Sequence, residues 1–570
     1  MHLGRKFFAV CVMAMGAVVA SGSGTMQTGG ALMAVDALGR TLPWPGENGV
    51  AAPREGRQVG IFYFLWCGAH GKRGPYDVSK ILAADPDAGH KPGSPVWGAH
   101  GVYHHWGEPF YGYYFSNDEW VIRHHMKLLI QAGVDFLFFD TTNGVTYQDT
   151  VKIVMRVLQE YHNAGWNIPK VMFYTNTASG RTVQKIYDSI YKPGYCRDTW
   201  FMFEGRPLII AKKDECSDEA KAFFTFRVSQ WPNASAKVDG WPWMDFKRPQ
   251  RVFKNSRGEP EVMNVSVAQH PQLRFGDSAM YGEKGNRGRA FHNGANDPAP
   301  DAWLKGFNFA EQFEHAIKMD PPVVLVTGWN EWIMGRWKGR PDRPIMFVDC
   351  ANAEYSRDIE MMRGGYGDNY FMQLVGYVRR YKGSAPCTVH AAGSAPAIYD
   401  NFSDGDFVRN ATGYGRTYEN KTQRNAIRRL EVWHDAKNLH VRIRTKKTIN
   451  PEDRDGTWMK LYLNVDGGRG YGFVVNNTPG TDGTTTLAKV KERGEKLECV
   501  DMAGIHIPCK VSGDSIELSI PRDALGIADR SFTLWFKAAD SRSAISAIED
   551  FYDHGDSAPL GRLNYVYVSR

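Results

Sequence analysis

The stretch Val323-Val324-Leu325-Val326-Thr327-Gly328-Trp329-Asn330-Glu331-Trp332 sets a carboxyl beside an amide and between two indoles. Its apolar first half reads as a strand buried on both faces. A polar group at the C-terminal end of such a strand stands where barrel enzymes keep catalytic residues. Indole faces suit the apolar faces of sugar rings, and a carboxyl between them can give a proton to a glycosidic oxygen. Glu331 is thus the candidate acid, with Trp329, Asn330 and Trp332 as candidate substrate contacts. The plainer alternative is a core strand that ends in a hydrogen-bonded structural Glu.

Other strand-like segments end in polar or aromatic groups. They are Phe138-Phe139-Asp140-Thr141-Thr142-Asn143, Tyr174-Thr175-Asn176, Trp241-Pro242-Trp243-Met244-Asp245 and Gln269-His270. A single strand-end Asp is often only a helix cap. Converging on one mouth, these ends make Asn143, Tyr174, Asn176, Trp241, Asp245, Gln269 and His270 candidate contacts beside Asp140. Two loops add Trp106 and Glu108, which follow His104-His105, and Arg289 and His292 within residues 286–294. Adjacent histidines on an extended segment point opposite ways, so His104 and His105 read as sugar contacts or loop packing rather than metal ligands. No catalytic cofactor is expected.

The elements that must position these groups alternate from Arg57 to Lys382. Eight strand-like segments are expected at 59–65, 134–139, 170–174, 208–211, 222–228, 241–245, 262–268 and 323–327. Helices are expected at 120–132, 147–163 and 309–318, the first after a capping box Ser116-Asn117-Asp118-Glu119 and stopped by Gly133. This is the scale of a (β/α)₈ TIM barrel over 57–382, in the α/β class. A doubly wound sheet is the rival, but no Gly-x-Gly-x-x-Gly follows the first strand. Residues 383–397 are rich in small residues and Pro and read as a linker. From 398 to 570 short strand-like segments separated by Asp, Gly and Asn turns predict an antiparallel β-sandwich.

At 570 residues with 13% aromatics, the chain has length for more than one domain and a supply of stacking rings. Arg5 and Lys6, apolar residues 7–20 and the small residues 21–24 follow the order of an export signal over 1–20, ahead of an N-terminal segment at 21–56. The expected location is therefore secreted or periplasmic. No other stretch approaches a membrane span. Without residues 1–20 the formal charge falls from +7 to +5, with no dense basic run, which argues against a nucleic-acid partner. Seven cysteines remain, too few for a disulfide scaffold, although Cys499 with Cys509 and Cys196 with Cys216 are candidate pairs.

The motifs Trp106-Gly107-Glu108-Pro109, residues 134–140, Gly328-Trp329-Asn330-Glu331-Trp332, Phe347-Val348-Asp349 and residues 355–359 resemble the secreted bacterial proteins grouped near glycoside hydrolase families 71 and 99. The resemblance implies a (β/α)₈ barrel that acts on α-linked glycans, usually within the chain, without a metal. Family 99 carries two glutamates in a Glu-Trp-x-Glu pattern. Here the first is Glu331 and the second position is Met334, which cannot move a proton. The second carboxyl must then come from elsewhere. Asp140 is the choice because it ends a central strand, with Glu108 and Asp245 in reserve. Neighbouring indoles should desolvate Glu331 and raise its pKa, while Thr141 and Asn143 should keep Asp140 ionised.

Residues 398–570 resemble carbohydrate-binding modules of the family 9 and DOMON-like type. The matching features are Tyr399-Asp400-Asn401-Phe402, residues 460–466, Asp553-His554-Gly555-Asp556 and Asn564-Tyr565-Val566-Tyr567. Tyr399, Trp433, Trp458 and Tyr471 can stack on sugar, although in a sandwich such rings are more often core. Asp466 is a candidate ligand for a structural Ca²⁺. The expected activity is glycoside hydrolysis through two carboxyls, with a glycan as partner. The alternatives are a glycan-binding protein on a decayed barrel, kept open by Met334, and a polysaccharide lyase served by Arg289 and His292.

Overall fold

The computed structural model describes residues 32–47, 49–271, 280–281 and 285–570, so the signal-like residues 1–20 lie outside it. Eight parallel strands make the first domain: β1 (Gln58–Tyr63), β2 (Phe136–Thr141), β3 (Lys170–Thr175), β4 (Arg206–Ile210), β5 (Thr225–Gln230), β6 (Gly240–Pro242), β7 (Pro260–Ser266) and β8 (Val323–Thr327). Their order across the sheet is β6-β5-β4-β3-β2-β1-β8-β7, with every neighbouring pair parallel. That is the circular order of a barrel cut between β6 and β7. Asn264 spans the cut: its amide donates to Trp243 O and Leu325 O at 3.0 Å and to Thr327 Oγ1 at 2.9 Å. The result is a nearly closed barrel rather than an open doubly wound sheet.

Alternation along each strand sorts the core in two. Phe62, Phe136, Phe138, Met172, Tyr174, Leu208, Val323 and Leu325 fill the inside. Val59, Ile61, Leu137, Phe139, Val171, Phe173, Val324 and Val326 face outward against the rest of the core. Strands buried on both faces carry the unbroken apolar runs that mark them in the sequence. Gly60 in β1 is held by close approach, since a Cβ there would stand 2.2 Å from the Phe136 ring.

Around the strands lie α1 (Glu119–Gln131), α2 (Gln148–Asn163), α3 (Ser179–Ile186), α4 (Asp218–Phe223), α5 (Phe307–Met319) and α6 (Asn369–Lys382). The cap of α1 is Asp118, whose carboxylate accepts from Trp120 N and Val121 N. Ser116, the expected cap, instead accepts from Cys67 N at 3.0 Å. Gly133 stops the helix in a left-handed turn, as expected. The fifth strand starts later than its expected place at 222, because the Ser217 hydroxyl caps α4 and draws 218–223 into a helix.

The C-terminal domain is β-rich and barrel-like. Twelve of its strands form one sheet, antiparallel except where Val389–His390 runs beside Tyr565–Ser569, and two more form a separate hairpin. Part of the expected linker thus belongs to this sheet. The long strand Lys496–Ser512 joins its two halves, pairing first with Thr484–Arg493 and then, from Cys509, with Ser515–Pro521. Cys499 and Cys509 therefore lie ten positions apart on one strand and cannot bridge a turn. Cys196 and Cys216 are likewise free thiols, as are Cys499 and Cys509.

The domains are pinned together by buried charges and hydroxyls. Arg409 Nε donates to Asp118 at 2.8 Å, Tyr161 OH to Asp404 at 2.7 Å, and both Tyr552 OH and Arg562 Nε to Asp368 at 2.7 Å. The hairpin of Arg409–Thr412 and Thr417–Asn420 lies on the loop after β1. There Tyr414 OH accepts from Gly68 N at 2.8 Å and Tyr418 OH from Tyr113 N at 2.7 Å.

Candidate active site

Glu331 leaves β8 on a rigid mount. Trp329 N donates to Phe62 O at 2.8 Å, and the Asn330 amide grips both Phe64 N and Phe64 O, at 2.8 and 3.1 Å. Trp106 Nε1 donates to Glu331 O at 2.8 Å, and its ring stacks on Trp332 at 4.1 Å. Trp332 Nε1 donates to Glu360 Oε2 at 2.5 Å. Trp106, Trp329 and Trp332 are wholly buried, so they hold the Glu331 peptide and offer no face to a sugar. This corrects the reading of those rings as stacking platforms.

The chain returns beside this turn. Gly328 N donates to Arg357 O at 2.6 Å, Ile359 N to Gly328 O at 3.1 Å and Glu360 N to Trp329 O at 2.9 Å. The ladder delivers Arg357 and Asp358 to Glu331. Arg357 Nη2 donates to Glu331 Oε2, and its Nη1 stands 3.6 Å from Asp349 Oδ1. Asp358 Oδ1 accepts the Glu331 N–H at 2.7 Å. Trp243 lies beside the Arg357 guanidinium, 5.2 Å from its ring centre. Arg289, expected to touch substrate, is fully buried. It donates to Ala353 O, Ser356 Oγ and Asp358 O at 2.7–2.8 Å and so braces the loop that carries Arg357.

Asp140 ends β2, on the inward parity of Phe136 and Phe138. Its Oδ1 accepts Thr142 N–H at 2.9 Å. Thr141 and Asn143 do not serve it: Thr141 Oγ1 donates to Tyr174 O, and Asn143 Nδ2 to Tyr147 OH. Burial accordingly raises the Asp140 pKa, against the expectation that it would be held low; the charge of Asp349 adds to the rise and Arg357 opposes it. Burial pushes Glu331 well above the usual carboxyl range, opposed by Arg357 and reinforced by Asp349 and Asp358. Asp358 is pushed up to about 6, chiefly by burial. Glu331 and Asp349 thus share one arginine, Asp358 holds the Glu331 N–H, and Asp140 feels the arginine's charge, in a place dry enough to hold protons on some of these acids.

No family model matches the chain, and no curated protein does. Two solved structures of the GH99 endo-α-mannosidase from Bacteroides thetaiotaomicron, one in complex with BIS-TRIS propane, are similar in part. Each has 15% sequence identity and a TM-score of 0.33, over 57% of this chain and 97% of that chain. A likeness at that score adds nothing to what this chain's own residues say.

The other candidates scatter. His270 lies against the cluster, donating to Tyr355 O at 2.8 Å, and burial together with Arg357 lowers its pKa to about 3, so it is neutral. Tyr174 lies inside the barrel, where its OH donates to Trp241 O at 2.6 Å. Trp241 is buried against Phe136 and Phe203, its Nε1 bound to Glu261 at 2.6 Å. Asn176 accepts from Trp231 Nε1 at 3.1 Å. Asp245 is paired with Arg251 at 2.6 Å, and Gln269 Nε2 donates to Asp245 O at 2.5 Å; both anchor loops. Glu108 is paired with Lys80 at 2.5 Å. His292 faces Asp297 at 3.4 Å on a separate hairpin, so Arg289 and His292 form no lyase pair. His104 and His105 are buried among aromatic rings, which lowers them to about 4 and about 3. Met334 is buried and lies 3.9 Å from Cys350 Sγ, with no proton to offer.

Arg357, Asp358 and Trp243 were not among the candidate site residues, although each lies in a segment the sequence singles out. Asp349 and the 355–359 run were visible only through family resemblance.

Proposed function

We propose that the protein is a glycoside hydrolase with Glu331 as general acid and Asp140 as the second carboxyl. The observation that carries this reading is the buried pair of Glu331 with Arg357 at the C-terminal end of β8, with Asp349 on the same guanidinium, Asp358 on the Glu331 N–H and Asp140 on the inward side at the end of β2. Arg357 holds one oxygen of Glu331 and leaves the other to give its proton to the glycosidic oxygen. The bond to the anomeric carbon breaks with its electrons on the leaving oxygen. Asp140 either takes the anomeric carbon itself or draws a proton from the water that does.

By resemblance the substrate is an α-linked glycan cut within the chain, and the signal-like order of residues 1–20 supports export. Among the described residues no helix is long and apolar enough to cross a membrane. In the C-terminal domain Tyr399, Trp458 and Tyr471 are buried, so Trp433, stacked on His440 at 5.1 Å, is the ring left for sugar contact. Asp466 is engaged by Arg530 at 2.5 Å, so no Ca²⁺ role is proposed for it.

Met334 packed on Cys350 favours a second reading, a glycan-binding protein on a barrel that has lost its catalytic pair. Digestion of α-mannans, α-glucans, pectins and N-glycans, read by product mass, separates the two. Products one water heavier per cut support the hydrolase. Binding with no cut on any glycan supports the binder.

A further inference from the structure

Two hollows lie end to end on the barrel face beside the candidate site. The first, about 530 Å³, is floored by Cys67 and Gly68 after β1 and walled by Tyr147 and Gln148. The second, about 580 Å³, is walled on its far side by Val408, Asn410 and Thr412 of the C-terminal domain. Lys72, Phe115 and Asn117 line both, so the two form one groove. Tyr147 at its near end stands on the loop that follows Asp140, and its OH accepts from Asn143 Nδ2 at 2.7 Å. Each hollow alone has the volume of a small-ligand pocket, and joined they suit an extended chain.

We propose that this groove holds the outlying sugars of a long, uncharged glycan, so that the C-terminal domain supplies part of the substrate cleft. The proposal rests on the hydrolase reading for its direction, from the acids outward. The lining chemistry gives the ligand class. Asn117, Gln148, Asn410 and Thr412 offer neutral donors and acceptors, and Phe115 offers a ring. The acids along the wall are already matched, Asp118 by Arg409 at 2.8 Å and Glu119 by Arg123 at 2.6 Å and Arg156 at 2.5 Å. Lys72 and Asp149 leave one exposed charge of each sign, which selects for no charged polymer. The far wall is fixed before any ligand arrives, because Tyr414 and Tyr418 are bonded to the backbone of the barrel loop.

Affinity electrophoresis tests this without relying on turnover. Wild type, Glu331→Gln and the double variant Asn117→Ala/Asn410→Ala are run through gels containing a neutral mannan, a neutral glucan or polygalacturonate. Near-ultraviolet circular dichroism checks that the variants are folded. One neutral polysaccharide should retard wild type and Glu331→Gln alike, and the double variant should bind it roughly fivefold more weakly. Retardation by no neutral gel, by polygalacturonate alone, or equally for the double variant would overturn the proposal. Retardation that depends on the groove, with no product from any glycan, would remove the hydrolase reading and leave the groove standing. Cleavage that ignores the double variant would do the reverse.

Discussion

Arg357 donates a hydrogen bond to Glu331 where the two side chains are only 4% and 3% exposed. A buried pair of this kind costs about 3–5 kcal/mol when one member is removed, unless the carboxyl left behind takes up a proton. Here that proton is what the proposed acid needs. Glu331 acts while protonated, so activity falls as pH rises through its pKa, which burial has raised and Arg357 pulls back. Arg357→Met removes the opposing charge and should move the alkaline limb of kcat/KM to higher pH. A pH–rate profile checks this, and an unmoved limb would disconnect Arg357 from the titrating acid.

Asp358 gives a stability prediction of definite sign. Its folded-state pKa lies at about 6 against an ordinary 3.8, so the native state holds this proton more tightly than the unfolded chain. The contribution is fully present below about pH 4 and is lost as pH rises to 6, a swing on the order of 3 kcal/mol. Asp358→Asn keeps the shape and removes the titration. Between pH 4 and 6, wild type should lose urea stability relative to this variant.

Glu360 is bonded on every side, by His125 Nε2 at 2.9 Å, Tyr114 OH at 2.6 Å and Trp332 Nε1 at 2.5 Å. Glu360→Leu strands three buried donors and should cost about 3–5 kcal/mol. Glu108, whose partner Lys80 is mostly in solvent, should cost less than about 1 kcal/mol when changed to Gln. Urea midpoints of the two variants, compared side by side, measure the contrast.

Gly60→Ala presses a methyl into the Phe136 ring inside the barrel. Overpacking of this kind should cost about 1–3 kcal/mol, read from the denaturation midpoint.

The strands most legible in the sequence were those with no polar interruption, 136–139 and 323–326, because both of their faces are buried. β5 was harder to place because Arg227 sits within it, buried through a two-pronged pair with Glu261 at 2.8 Å. β6 spans only three residues, too few for any periodicity. Glu331 and Asp140 could be read as strand-end acids. The indoles are ambiguous in the sequence because an indole that packs and one that stacks on sugar are spelled alike; only their burial tells them apart. Arg357 meets Glu331 from 26 residues away, through a ladder between irregular segments that no local pattern announces.

The central claim is that Glu331 and Asp140 together break a glycosidic bond. Its most direct test takes the glycan that wild type cuts and compares the initial rate with those of Glu331→Gln and Asp140→Asn, with Asp245→Asn as a buried-acid control for folding. The account predicts that both site variants lose roughly 10²–10⁴-fold in kcat while keeping glycan affinity. Glu331→Gln turning over at the wild-type rate would contradict it outright. Full activity in Asp140→Asn alone would pass the second role to Asp349.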